Sequence, residues 1–388
     1  MKILITGGHP TPALALIDGL KQYKNIQIIF VGRKYPLIKE KNYSFEYQEI
    51  KKRRIKFIDL KTGKLVRYFS KDFFINFFLL IQGFFTSLKI LIIEKPDLVF
   101  SFGGYLGFPI AFWAWIFRIP IIIHEQTVSP GLANRIIGFF AKKVLLAFPQ
   151  AKEFFNQKKT LFVGNPIRFS EIYPFAPPII GGATVGIYQK VIKSKQSDIK
   201  IKEKNIIARP IIYITGGSLG SHVINTHIEN ILPFLLKKYT IIHQVGNISQ
   251  FNDFTRLKEK FKNPNYLLFT HIDQEKLKEI YEKADLVISR AGANTFFELI
   301  AFQKPAIFIP LPFSASDEQK KHAFIFYKNG AGEIFNQEDD SFKLLNLIDK
   351  MINNLSFYKK NLEKLKDLYR KDATKKIVSV IFSFVKKD

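Results

Sequence analysis

The chain has 388 residues, 47% of them hydrophobic, and its 59 Lys and Arg against 33 Asp and Glu give a formal net charge of +26. At about 100–200 residues per domain the length suggests two domains, and the apolar content excludes a disordered or fibrous polypeptide. There is no cysteine, which excludes disulfide frameworks, thiolate metal sites, iron–sulfur clusters and cysteine nucleophiles.

The opening MKILITGG reads directly as a strand, with no apolar leader ending in a cleavage site. No secretory signal is expected, and a reducing cytoplasm is. Apolar runs bounded by glycine then alternate with longer helical patterns, the signature of parallel α/β units. Strands are predicted at Ile3–Ile5, Ile26–Val31, Leu98–Phe102, Ile121–His124 and Val144–Ala147. Between the second and third of these, Phe73–Ile93 has the length of a transmembrane helix. At about 100° per residue, however, Phe73, Phe74, Phe77, Phe78, Leu80, Ile81, Phe84, Phe85, Leu88, Leu91 and Ile92 share one face. Asn76, Gln82, Gly83, Thr86, Ser87 and Lys89 lie opposite. The pattern predicts an amphipathic helix that packs its Phe-rich face on a sheet. Ile75 and Leu79, intruding on the polar face one turn apart, are candidates for an exposed apolar patch.

Residues 171–209 break the rhythm with Pro-, Gly- and Lys-rich stretches and read as a connection or insertion. Strands resume at Ile211–Thr215, Ile241–Val245, Leu286–Ser289 and Ala306–Pro310. The predicted organisation is therefore a Rossmann-like domain over 1–168, a linker over 169–208 and a second Rossmann-like domain over 209–373. A short helix over 374–388 is expected to pack back on the first half. Lys far outnumbers Arg, and much of the positive charge reads as solvated surface. Its functional reading is attraction to an anionic membrane surface or a phosphate-bearing substrate; nucleic acid is not expected, because no nucleic-acid module signature is present.

Three strand-to-helix junctions carry glycine: Thr6-Gly7-Gly8-His9, Thr215-Gly216-Gly217-Ser218-Leu219-Gly220 and Arg290-Ala291-Gly292-Ala293-Asn294-Thr295. Such turns let the backbone approach a ligand, and the following helix N-terminus favours a phosphate or carboxylate. Neither GxGxxG nor GxxxxGK[ST] occurs, which argues against dinucleotide and P-loop ATP sites. Loops of this kind on two Rossmann-like halves suggest a ligand in a cleft between them.

TGGHPTPALA, SFGGYLGFP, HEQTVSPGLANR, VGNPIR, TGGSLG, RAGANTFFEL and DEQKKHA follow one another in an order and spacing that resembles the MurG family of peptidoglycan glycosyltransferases, over nearly the whole chain. The resemblance implies a GT-B fold, two Rossmann-like α/β domains facing across a cleft. It also implies inverting transfer of N-acetylglucosamine from UDP-N-acetylglucosamine to a polyprenyl-diphosphate-linked muramyl peptide, lipid I. The product would be lipid II, made by a peripheral protein on the cytoplasmic face of the membrane, with no cofactor and no obligatory metal.

By the same resemblance His9 is the base for the acceptor hydroxyl, a task that suits a near-neutral imidazole. Thr6, Gly7 and Gly8 match the family's first loop, although its preceding glycine pair is Leu4-Ile5 here. Ser218 matches a contact to the nucleotide diphosphate, and Ile272 a backbone contact to uracil. Ala293, Asn294, Thr295, Phe296, Phe297 and Glu298 match the donor loop, with Glu298 accepting from the ribose hydroxyls. Gln319 matches a donor-sugar contact and Arg168 a cation near the leaving diphosphate. Thr127 stands where the family's HEQN has asparagine, and His322-Ala323 where it has Asn-Ala; the resemblance implies that both positions face sugars, with Thr127 a donor contact. Trp115 matches an aromatic residue of the family's membrane patch and joins Ile75 and Leu79 in the expected one. Other readings are a glycolipid glycosyltransferase with a diacylglycerol acceptor, a nucleotide-sugar epimerase of the same fold, and a degenerate membrane-associated binding protein.

Overall fold

A computed structural model describes residues 1–35, 43–63, 71–167, 209–217, 220–246, 251–314 and 317–384, with residues 71–75 described by backbone alone. The predicted linker over 169–208 lies outside the described residues. They form two compact units.

The first unit holds the described residues up to Ile167 together with 314, 317–318 and 367–384. Its sheet comprises β1 (Lys2–Thr6), β2 (Gln27–Gly32), β3 (Lys56–Asp59), β4 (Leu98–Ser101), β5 (Ile121–Glu125), β6 (Lys143–Leu146) and β7 (Thr160–Phe162). Every pairing is parallel, in the order β3-β2-β1-β4-β5-β6-β7. Parallel strands covered on both faces need apolar side chains throughout, and Ile3, Leu4 and Ile5 are all fully buried. Ile3 and Ile5 pack with the helices Pro10–Leu20 and Ala373–Phe382, whereas Leu4 packs on the opposite face with Ile90, Leu106, Ile110 and Ile137. Leu4-Ile5 is thus strand core, and the turn that follows is built by Gly7 and Gly8.

The second unit holds residues 209–313 and 319–366 as described. Its strands are β8 (Ile211–Thr215), β9 (Thr240–Gln244), β10 (Tyr266–Phe269), β11 (Leu286–Ser289), β12 (Ala306–Phe308) and β13 (Gly332–Ile334), again all parallel. Their order is β10-β9-β8-β11-β12-β13. One face is covered by the helices His222–Lys238 and Ser341–Asn353, through Ile224, Ile228, Ile231, Leu344 and Ile348.

The helix Lys71–Glu94 corrects the sequence expectation about its faces. Gly83, Ser87, Ile90 and Leu91 are buried, whereas Phe78 is 69% exposed and Phe85 62%, and Phe77, Ile81 and Ile92 are exposed as well. Leu80, Phe84 and Leu88 are half-buried. Close approach explains the inversion: a methyl at Gly83 would collide with Thr62, so the helix sits down on its small residues. The Ser87 hydroxyl donates to the Gly83 carbonyl at 2.7 Å and needs no outside partner. Of the two intruders, Leu79 is only half-exposed, and the side chain of Ile75 lies outside the described residues.

Candidate functional site

In open parallel sheets, ligands bind beyond the carboxyl ends of the strands where the order reverses. That point lies between β1 and β4 in the first unit and between β8 and β11 in the second. The glycine junctions of the sequence fall at both.

In the first unit the turn after β1 is Gly7-Gly8-His9. Gly7 N–H donates to Val31 O at 2.7 Å, and Gly8 has a φ of +116°. His9 occupies the cap position of the helix Pro10–Leu20 but makes no side-chain cap bond. Burial lowers its pKa to about 4, so the imidazole is neutral at physiological pH. Beside it, the turn after β4 is fixed by side chains. The Thr6 and Ser101 hydroxyls lie 3.0 Å apart, and Ser101 Oγ accepts Gly103 N–H at 3.0 Å. Gly104, the first residue of the helix Gly104–Ile116, donates its N–H to Asn134 Oδ1 at 2.8 Å.

Asn134 in turn donates to Glu125 Oε2 at 2.6 Å. The other oxygen of Glu125 accepts both the Thr127 N–H, at 2.8 Å, and the Thr127 hydroxyl, at 2.7 Å. Burial raises the Glu125 pKa, and the bonds from Thr127 and Asn134 oppose that rise. The buried Thr127 hydroxyl is thus engaged with the scaffold. His124, also buried, has Nε2 2.9 Å from Gly164 O, and burial lowers its pKa to about 4.

In the second unit, Gly217 N–H donates to Thr215 Oγ1 at 3.0 Å and Gly217 O accepts from Gln244 Nε2 at 3.1 Å. Ser221 then caps the helix His222–Lys238. Arg290, directly after β11, donates to Ser221 Oγ at 2.8 Å, and to Ile309 O and Gln337 Oε1, both at 2.9 Å. Burial lowers its pKa to about 10, which leaves it a cation held by neutral acceptors beside the glycine turn. The helix Ala293–Ala301 starts at Gly292, around which there is open space. Ala293, Asn294 and Thr295 are partly exposed there, whereas Phe296, Phe297 and Glu298 are buried. Glu298 Oε2 accepts from the Tyr281 hydroxyl at 3.0 Å.

Ile272 is buried just before the helix Gln274–Lys283, and Gln319 Oε1 accepts Leu311 N–H at 3.1 Å. His322 is fully buried and donates from Nδ1 to Ala291 O at 3.0 Å; burial lowers its pKa to about 4. Arg168 and Ser218 lie outside the described residues. Thr6, Gly7, Gly8, His9 and Thr127 belong to the first unit, and Ile272, the 293–298 stretch and Gln319 to the second. Asn134 and Arg290 stand in motifs that the sequence singles out but receive no role there, and Tyr281 stands in none.

A family model described as the glycosyltransferase family 28 N-terminal domain matches residues 6–146, and one described as the family 28 C-terminal domain matches 211–377. The chain is 36% identical over 387 residues to the UDP-N-acetylglucosamine–N-acetylmuramyl-(pentapeptide) pyrophosphoryl-undecaprenol N-acetylglucosamine transferase of Clostridium kluyveri, covering 98% of each. Among solved structures it resembles MurG of Acinetobacter baumannii, with a TM-score of 0.66 at 22% identity over 98% of this chain and 99% of that one. The UDP-GlcNAc 2-epimerase of Neisseria meningitidis, solved with UDP-GlcNAc, gives 0.67 at 14% identity over 99% and 100%. At these identities the structural likenesses establish the α/β GT-B fold.

Proposed function

The chain belongs to glycosyltransferase family 28, and from that membership we propose that it moves N-acetylglucosamine from UDP-N-acetylglucosamine onto N-acetylmuramyl-(pentapeptide) pyrophosphoryl-undecaprenol. The observation that carries this is the 36% identity, sustained over 98% of both chains, to a transferase of that name. The protein is an N-acetylglucosaminyltransferase, and its reaction turns lipid I into lipid II in peptidoglycan synthesis.

His9 is the base. Its neutral imidazole takes the proton of the acceptor hydroxyl while that oxygen attacks the anomeric carbon. The bond from this carbon to the diphosphate oxygen breaks, UDP leaves, and the configuration inverts. An imidazole with a pKa of about 4 is a weak base, and the anionic diphosphates of the substrates raise it when they arrive. Glu298, steadied by Tyr281, accepts from the ribose hydroxyls. The Gly216-Gly217 turn, the N-terminus of the helix His222–Lys238 and the Arg290 cation stabilise the departing diphosphate. Ser218, Arg168, Ile272, Gln319 and the Ala293–Phe297 stretch complete the donor contacts.

Membrane attachment is peripheral, on the cytoplasmic face and on anionic lipid. Phe77, Phe78, Ile81 and Phe85 support it as an exposed apolar stripe, together with Trp115 (46% exposed), Ile116, Phe117 and Phe139. Phe84, Trp113, Phe112, Trp115 and Phe140 link these groups through ring contacts. The test of the function is UDP release: it should require the lipid acceptor, and release at the same rate without acceptor would sink the proposal.

A further inference from the structure

Glu46 is a buried carboxylate that no motif singles out. It lies in the first turn of the helix Phe45–Lys52 and is 8% exposed. Its Oε1 accepts Arg33 N–H, at the end of β2, at 2.7 Å. Its Oε2 lies against Gly7, in the turn that carries His9, and the neighbouring Gly8 N–H lowers the pKa of the carboxyl. It is wedged between two strand ends that only glycine leaves open. A methyl at Gly7 would stand 2.8 Å from Oε2, and one at Gly32 2.8 Å from Oε1. Burial raises the Glu46 pKa, while the two amides and the nearby Arg33 charge lower it and Asp59 adds a small rise. The Arg33 guanidinium bonds Thr62 O at 2.9 Å and lies over the Tyr105 ring.

Gly7 N–H in this turn goes to Val31 O and the Gly8 N–H faces Glu46, while Pro10 and Pro12 have no N–H. These contacts fix the backbone just ahead of His9.

We propose that Glu46 is a positioning residue for transfer: by bonding the Arg33 amide and packing against the Gly7-Gly8 turn it sets the place of the His9 imidazole. This rests on the reading of His9 as base. An amide in place of the carboxylate keeps one acceptor oxygen and turns an NH₂ toward the second backbone donor. Misplacement of a reacting group by about 1 Å costs on the order of 10²-fold. Glu46→Gln should therefore lower kcat by about 10–100-fold and leave UDP affinity and the KM for the UDP-sugar within about twofold. In the His9→Ala background the same change should cost nothing further, since residues acting through one group are not additive.

The His9 imidazole resonances should also shift in Glu46→Gln, a readout that needs no turnover. Gly7→Ala, which keeps the carboxyl but pushes on it, should reproduce the selective loss of kcat if Glu46→Gln folds poorly. Wild-type kcat in folded Glu46→Gln would overturn the proposal, as would a full additional loss on top of His9→Ala or unmoved His9 resonances. If His9→Ala itself keeps full turnover, the base assignment is what fails, and the resonance shift alone judges Glu46.

Discussion

Burial alone holds the His9 pKa down to about 4, against an ordinary imidazole value near 6.5. The sign of the consequence follows from which form works. In the proposed reaction the neutral ring accepts the proton, so a lowered pKa extends activity toward acid. Because kcat/KM reports the free enzyme, it should stay flat from pH 8 down to about 5.5, where an unshifted imidazole would already cost about tenfold. A pH profile with an acid limb near 6.5 that disappears in His9→Ala would contradict this. On the donor side, Glu298→Ala should weaken UDP binding by ~1.5–3 kcal/mol, the scale of a charge-assisted hydrogen bond. Tyr281→Phe, which removes the hydroxyl that orients the carboxylate, should cost less, ~0.5–1.5 kcal/mol. Calorimetry would find the ribose assignment wrong if Glu298→Ala bound UDP as tightly as wild type.

The roles given to His9 and Glu298 come from the family resemblance, and the glycines near them mark only the ends of β1 and β11. What Tyr281, Asn134 and Arg290 hold is not readable, since each is coupled to a residue 17, 9 or 69 positions away that only folding brings near. Glu46 is hidden for the same reason, its amide partner Arg33 lying 13 positions back.

At the scale of whole elements, nine of the strands among the described residues are readable and four are not. The four are β3, β7, β10 and β13, which are the edges of the two sheets. An edge strand is covered on fewer sides, so it does not need a continuous apolar run. KFID and TLF accordingly mix polar and half-exposed residues. The helix Lys71–Glu94 misleads for a related reason. Periodicity finds its two faces but cannot say which one turns inward when glycine and serine allow a closer approach than phenylalanine.

The correction changes the residues that should matter at a membrane. Phe78→Asp with Phe85→Asp should release the protein from anionic liposomes while leaving its thermal unfolding nearly unchanged, because neither side chain is packed. Gly83→Leu should do the reverse, destabilising the fold by about 1–3 kcal/mol through overpacking against Thr62. Liposome binding unaffected by the two aspartates, measured by flotation, would remove this helix from the attachment surface.

As a whole molecule the protein carries two Rossmann-like units, each with its own polar cluster at its own switch point, and a net charge of +26. The first unit supplies a neutral histidine on a glycine turn. The second supplies glycine turns, a half-buried arginine and a tethered carboxylate. Under the proposed reaction, proton transfer falls to the first unit and the nucleotide to the second. The central claim is the transfer itself, and it is tested most directly with UDP-N-acetylglucosamine labelled in the sugar, incubated with the purified protein and a lipid I analogue. The account predicts label in a lipid-extractable product, in the inverted β configuration, and none there without the analogue. Label that stays in the nucleotide-sugar pool as an epimer, with no lipid product formed, would contradict it.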